Sequence, residues 1–293
     1  MFEIVSRQQM EFVLVKELFW GENILEVVKA ASIVEPVPLG GTKPFLIYGE
    51  DGNQYYAKFK ENPESSRILI NEYVCSEIAD IFEIPKTENV FIEVSEEFVE
   101  VFGEEIEEHI EDMPKPGLHF GSLKLNNVVP ITNSEAISKS ENPECLSTIL
   151  LFDHLIGNSD RESNKGNILI SESQKRIYAI DHSNAFEIGP LWDATQLKWR
   201  LTSPVTPFNM EGYVYSKWTE HIRSPYPFSA FFDNLLRLTD DVLWNIIDET
   251  PKEWLITDDE KQMLFQYIVF RRDNIHLLPE LLKPKLPYWK GEV

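Results

Sequence analysis

The chain has 293 residues and a net charge of −22, from 49 acidic against 27 basic side chains. That balance argues against a nucleic-acid binder, which needs a basic face. Hydrophobic residues make up 43% of the sequence, enough for a substantial core. No run of about 18 apolar residues occurs, so no membrane-spanning helix is expected.

The N-terminus, MFEIVSRQQMEF, is too polar for a signal peptide, and a cytoplasmic protein is expected. Cys75 and Cys145 form neither a disulfide framework nor a metal motif, and their apolar surroundings predict core thiols. The six histidines show no metal-ligand spacing.

In chain order, residues 1–35 begin mixed and turn β-prone over ILEVVKAASIVEPV. Pro38-Leu39-Gly40-Gly41-Thr42-Lys43-Pro44 is a glycine-rich loop. It leads into a β-hairpin of Phe45–Tyr48 and Gln54–Lys60 around the turn Glu50-Asp51-Gly52-Asn53. Its glycines suit either a plain turn or a backbone cradle for phosphate; the Walker A spacing is absent. On the second strand Tyr56, Lys58 and Lys60 share one face.

A helix follows over about Ser65 to Phe82, with Ile68, Glu72, Cys75, Ala79 and Phe82 in one row. Glu72 is therefore either wet at the row's edge or buried and in need of a partner. The nearest partner is Lys58, and a strand lysine with a helix glutamate is the pair that positions ATP phosphates in kinases. From Ile84-Pro85 to about Val101 the pattern reads as β, and the acidic run Glu93–Glu111 as solvated surface. Met113–Gly117 suits a hinge between lobes, and residues 123–146 are mixed.

Ser147–Phe186 carries the chemistry. An apolar helix ends at Gly157-Asn158, both tolerant of a left-handed cap. A polar loop spans Asn158–Gly166, and two strands, Asn167–Ile170 and Arg176–Asp181, form a hairpin about Ser171–Lys175. Pairing them antiparallel brings Asn167 and Asp181 to one open end, within about one residue of register. Asp160 sits in the loop that enters that end. A loop Asp to orient an attacking hydroxyl, with an Asn and an Asp to hold magnesium on phosphates, is what phosphoryl transfer requires. The competing reading is an ordinary polar loop closing a hairpin. From Asn234 onward the pattern is helical.

These stretches resemble a HipA-like protein kinase. They are Gly40-Gly41-Thr42-Lys43, Tyr56-Ala57-Lys58-Phe59, Asn71-Glu72 with Ile84-Pro85, Gly117–Ser122, Gly157–Arg161, Gly166–Leu169, Ile180-Asp181, Pro251–Trp254 and Arg271-Arg272. The resemblance spans roughly Ile33 to the C-terminus. It implies an α+β, bilobal protein-kinase-like fold, with a β-rich N-lobe over 1–118 and a mainly helical C-lobe over 119–293. It implies ATP- and Mg2+-dependent phosphorylation of serine or threonine. Gly40, Gly41, Thr42, Lys43, Lys58 and Glu72 would serve ATP, Asp160 would be the catalytic base, and Asn167 and Asp181 would hold the metal. Autophosphorylation and an antitoxin-like partner belong to the same expectation.

The sequence departs from the family pattern in one place. Asn167 stands seven residues after Asp160 rather than five, and Asn164 stands four after, so either amide is a metal candidate. Two rival functions remain: a lipid or small-molecule kinase of the same fold, since the motif is also similar to phosphoinositide kinases, and a nucleotide-binding pseudokinase acting as an interaction module.

Overall fold

The computed structural model describes residues 25–38, 41–131, 133–164, 167–212 and 214–291. Strands β1 (Val27–Pro36), β2 (Phe45–Gly49), β3 (Gln54–Lys58), β4 (Asn89–Val94) and β5 (Gly117–Leu123) form a closed barrel in the order β1-β2-β3-β5-β4. All pairings are antiparallel except β1 with β4, which run parallel from Val27↔Phe91 to Lys29↔Glu93. Alternation along the strands turns Phe45, Ile47, Ala57, Val90 and Ile92 into one apolar cluster.

Helix α1 (Arg67–Ile81) follows β3 and is buried on nearly every face. Ile68, Leu69 and Ile70 are all fully enclosed, because the helix lies in the core cluster shared by barrel residues Phe91 and Phe120 and the helical part of the chain. Just beyond it, Phe82 stacks on Phe231 and tilts against Phe152.

The segment after β4 differs from its β reading. Only Asn89–Val94 is strand, and α2 (Glu96–Ile110) follows at once. Ser95 caps it, its side chain accepting from the Phe98 amide at 3.0 Å, with Glu96 and Glu97 in the first turn. Phe98, Ile106 and Ile110 pack into the barrel cluster at helical spacing, so the glutamates between them form the outer face of a helix. Met113–Gly117 likewise does not serve as the expected hinge. It joins α2 to β5, both of which belong to the barrel. The chain passes from barrel to helical part at residues 124–127, between β5 and β6 (Val128–Pro130).

Strand β6 pairs with β7 (Ile168–Ser171), and β7 with β8 (Ile177–Ala179), as a second antiparallel sheet. Around it lie α3 (Ser134–Ser138), α4 (Cys145–Ile156), α5 (Asp160–Ser163), α6 (Ala194–Arg200), α7 (Tyr215–Trp218), α8 (Ser229–Leu235), α9 (Asp240–Asp248), α10 (Asp258–Asn274) and α11 (Leu278–Leu282). The polar loop of the sequence reading thus contains a one-turn helix, α5. Every residue of α4 from Leu146 to Ile156 is buried. Cys75 is buried as expected, whereas Cys145, first in α4, is only partly so. Gly157 ends α4 at φ 68°, where a Cβ would meet the Tyr267 hydroxyl at 2.5 Å and the Glu187 amide at 3.0 Å. No helix among the described residues is long and apolar enough to cross a membrane.

Candidate active site

Three elements bring one cation and two carboxylates together. Lys58, the last residue of β3, donates from Nζ to Glu72 Oε1 on α1 and, at 3.1 Å, to Asp181 Oδ1 just past β8. Glu72 is 4% exposed, so the buried alternative is the one realised. Its second oxygen accepts from the His182 amide at 3.0 Å. Burial opposes the charge on Lys58, but Asp181 and Glu72 overcome it and hold the ammonium's pKa above its ordinary value. Burial pushes the Glu72 carboxyl up to about 7, with Lys58 working against it. Burial also works to raise Asp181, yet Lys58 and the Ser183 hydroxyl hold it well below the usual carboxylate range.

Asp181 has φ 59°, which turns the chain sharply out of β8. Ser183 steadies this turn, donating from Oγ at 2.6 Å and from its amide at 3.2 Å to Asp181 Oδ1. Helix α1 holds the same segment with a second side chain. Asn71 donates to the Ser183 carbonyl at 2.6 Å and accepts from the Trp192 indole at 2.7 Å.

Asp160 opens α5, its amide donating to Asn158 Oδ1 at 3.2 Å. Asn167 Nδ2 donates to Asp160 Oδ2 at 2.9 Å, and Asn164 Nδ2 to the same oxygen at 3.3 Å. Asn167 is 5% exposed; Asn164 is exposed. The expected hairpin register is present: Ile168 faces Ala179, and the Ile180 amide donates to the Asn167 carbonyl at 3.2 Å. Asn167 therefore lies beside the residue that precedes Asp181.

The glycine-rich loop enters β2 at Phe45, which pairs with Ala57 next to Lys58. Gly40 lies outside the described residues. A Cβ on Gly41 would lie 2.0 Å from Glu64 Oε1, the end of a flexible side chain, so this contact alone does not demand glycine. Thr42 is buried, its carbonyl accepting from Asn62 Nδ2 at 2.5 Å. Lys43, at φ 39°, donates to Glu111 Oε1 at 2.5 Å, so its ammonium is drawn to the end of α2. Lys60 lies beyond β3 and leaves the face of Lys58. Its ammonium binds the Pro116 carbonyl at 2.7 Å and Glu253 at 2.6 Å.

A contact set that the sequence reading missed lies beneath Asp160. The Arg161 side chain is fully enclosed and binds Asp153, Asn167 and the backbone of Ile180. Its only signal in the sequence is adjacency to Asp160.

The chain matches the family described as HipA-like kinase over residues 30–276. It belongs to that family. Among solved structures it is similar to a Helicobacter pylori proinflammatory kinase, CtkA, at 13% identity and a TM-score of 0.54, covering 89% of this chain and 99% of that one. At that identity the likeness shows a kinase-like fold. A Golgi casein kinase matches with a TM-score of 0.47 at 12% identity, over 96% of this chain and 78% of that one. HipA of Shewanella oneidensis MR-1, solved with HipB and operator DNA, matches with a TM-score of 0.44 at 11% identity, over 97% and 73%. No curated protein matches the sequence.

In this HipA-like kinase the described residues hold no group of three or more His, Cys, Asp or Glu side chains able to cage a metal. The hairpin's open end carries the Asn167 amide, beside Ile180, and the Asp181 carboxylate one residue further on. One or two hard oxygen ligands fit magnesium, which keeps water and takes phosphate oxygens for the rest of its shell.

Proposed function

We propose that this HipA-like kinase transfers the γ-phosphoryl group of ATP, with Mg2+, to a serine or threonine hydroxyl of a protein, itself included. The observation that carries the reading is the bridge from Lys58 to both Glu72 and Asp181, set across the hairpin end from the Asp160–Asn167 contact. Glu72, buried and hydrogen-bonded through both oxygens, fixes where the Lys58 ammonium stands. Lys58 then meets the phosphates of ATP with a charge that its neighbours keep in place. Asp160 orients the attacking hydroxyl and takes its proton as that oxygen bonds to the γ-phosphorus and the bond to ADP breaks. Asn167 and Asp181 would hold Mg2+, which when bound would neutralise charge on the phosphates. Both amides donate to Asp160, and Asn167 is favoured over Asn164 as the metal amide because it is buried at the hairpin end, where Asn164 is exposed.

Gly40, Gly41, Thr42 and Lys43 cover the phosphates in this reading, by way of the loop's place at the Lys58 end of β2. With Lys43 held by Glu111, the contribution of Gly41 and Thr42 is through backbone N–H groups. The two lobes of the proposal are the barrel with α1 and α2, and the sheet β6–β8 with the remaining helices. The sequence boundary at 118/119 falls inside β5, and residues 124–127 are the better division. An antitoxin-like partner rests on family membership alone.

Mass spectrometry after incubation with Mg-ATP, alone and with a cell extract, tests the reading. Phosphate on a serine or threonine is expected, and it should be lost in Asp160→Asn. ATP bound without turnover would put the pseudokinase reading in its place.

A further inference from the structure

We infer that Arg161 is a positioning residue that sets the spacing of the two metal-holding side chains, with Asp153 and Tyr215 as its anchor. The inference rests on the metal roles proposed for Asn167 and Asp181. Arg161 and Asp153 are both 0% exposed. Arg161 Nε donates to the two Asp153 oxygens at 2.9 and 2.8 Å. The Tyr215 hydroxyl donates to Asp153 Oδ2 at 2.9 Å, so the carboxylate is held from a second element, α7. The other arm of the guanidinium turns to the hairpin. Nη1 donates to the Asn167 carbonyl at 2.5 Å and to the Ile180 carbonyl at 2.9 Å. A single nitrogen thus ties together the backbone of the metal amide and the backbone of the residue before Asp181.

Geometry makes this contact more than packing. Six residues lie between Asp160 and Asn167, so the loop alone does not fix the amide. Asp181 leaves β8 through a left-handed turn, so the ladder alone does not fix the carboxylate. The clamp acts on the backbone at both places, beside the side-chain contacts of Asp181 with Lys58 and Ser183 and of Asn167 with Asp160. The planar guanidinium fork separates the two tasks in fixed directions, one arm to the anchor and one to the hairpin, which an ammonium cannot do. Burial pushes the Asp153 carboxyl up and Arg161 opposes the rise. Because Arg161 is fully enclosed on these contacts, it is not a surface receptor for a phosphate on the segment after Asp181.

Two measurements test the clamp, one of them without any ligand. In Arg161→Lys, which keeps the charge beside Asp153, hydrogen exchange in the nucleotide-free protein should speed about tenfold at the hairpin end over residues 167–182. The barrel strands should exchange as in the wild type. Mn2+ titration by electron paramagnetic resonance, with a non-hydrolysable ATP analogue present, should show metal affinity about tenfold weaker. Affinity for the analogue in the absence of metal should be unchanged, a split that a merely structural role would not produce. Should Arg161→Lys fail to fold, Tyr215→Phe removes only the hydroxyl to Asp153 and should weaken Mn2+ binding about two- to threefold in the same pattern. Wild-type exchange at the hairpin end, or wild-type Mn2+ affinity in a folded Arg161→Lys or in Tyr215→Phe, overturns the inference. A wild-type protein that binds no Mn2+ with nucleotide overturns the proposed function itself, and is seen before any variant is compared.

Discussion

Two buried ion clusters lie on either side of the loop that carries Asp160, and they differ in one respect that decides their use. Lys58, Glu72 and Asp181 set one cation against two carboxylates, with the Asp181 side chain 30% exposed. Arg161 and Asp153 set one cation against one carboxylate, with both side chains fully enclosed. The second cluster is balanced in charge and closed to solvent, although one guanidinium nitrogen, Arg161 Nη2, has no hydrogen-bond partner. The first carries a surplus negative charge at a place solvent can reach. Burial raises the Glu72 carboxyl to about 7 against the pull of Lys58, and the Asp181 charge adds to the rise. A cation arriving at Asp181 relieves the surplus. The contrast teaches that buried charge alone does not point to chemistry; unbalanced charge beside an opening does.

The comparison breaks most sharply through a change that leaves both clusters intact. Asp160→Asn should lower phosphoryl transfer by a factor on the order of 10²–10⁴, with Mg-ATP affinity and denaturation midpoint close to wild type; single-turnover assays and calorimetric titration measure both. Equal loss of affinity would move Asp160 into the metal shell. Next in size is the closed cluster. Asp153→Ala strands the Arg161 guanidinium and should cost about 3–5 kcal/mol of stability by urea titration.

The open cluster should answer in binding instead. Lys58→Met should weaken Mg-ATP at least about tenfold, or roughly 1.4 kcal/mol, whereas Lys60→Met, whose ammonium serves Glu253, should bind as wild type by calorimetry. Equal effects from the two lysines would mean that neither touches the nucleotide.

A last expectation is a pH dependence set by three buried histidines and by Glu72 of the open cluster. Burial lowers His119 to about 3 and His154 to about 4, and holds His182 well below its ordinary value. Below about pH 6.5 the unfolded chain takes up protons at these three sites that the folded chain refuses, so stability falls as pH falls. Glu72 acts in the opposite sense, because the folded chain binds a proton there below about 7 that the unfolded chain releases until about 4.5. The net expectation is a loss of about 2 kcal/mol between pH 6.5 and 5.5. Urea titrations at the two values check it, and a gain on acidification would give Glu72 the larger weight.

The sequence carried the local logic of the site and little of its frame. A glutamate in an apolar helical row needs a cation, and the lysine on the preceding strand, Lys58, was the one in place. Alternation and a turn were enough to put Asn167 beside the end of β8. The parallel pairing of β1 with β4 was hidden, because ladders between distant segments leave no periodic trace. Helix α2 was hidden by its own glutamates, which masked a four-residue apolar spacing inside a run that reads as solvated. Arg161 was hidden for a related reason. A charged residue in a polar loop reads as exposed, and only the side chain of Asp153, placed inward by a helix buried on all sides, shows that it is not.

The closure of the barrel has a consequence for how this kinase meets other proteins. Each of its five strands has a neighbour on both sides, and β1 completes the ring through a three-residue ladder, Val27–Lys29 against Phe91–Glu93. An open edge would let an extended peptide join the sheet through main-chain hydrogen bonds, a mode of recognition that is indifferent to much of the peptide's sequence. Among the described residues, the ring closes off such rows where its ladders run, while β1 beyond Lys29 has only β2 beside it. A peptide that docks on the laddered part of the barrel must be read by side chains, and therefore by its sequence.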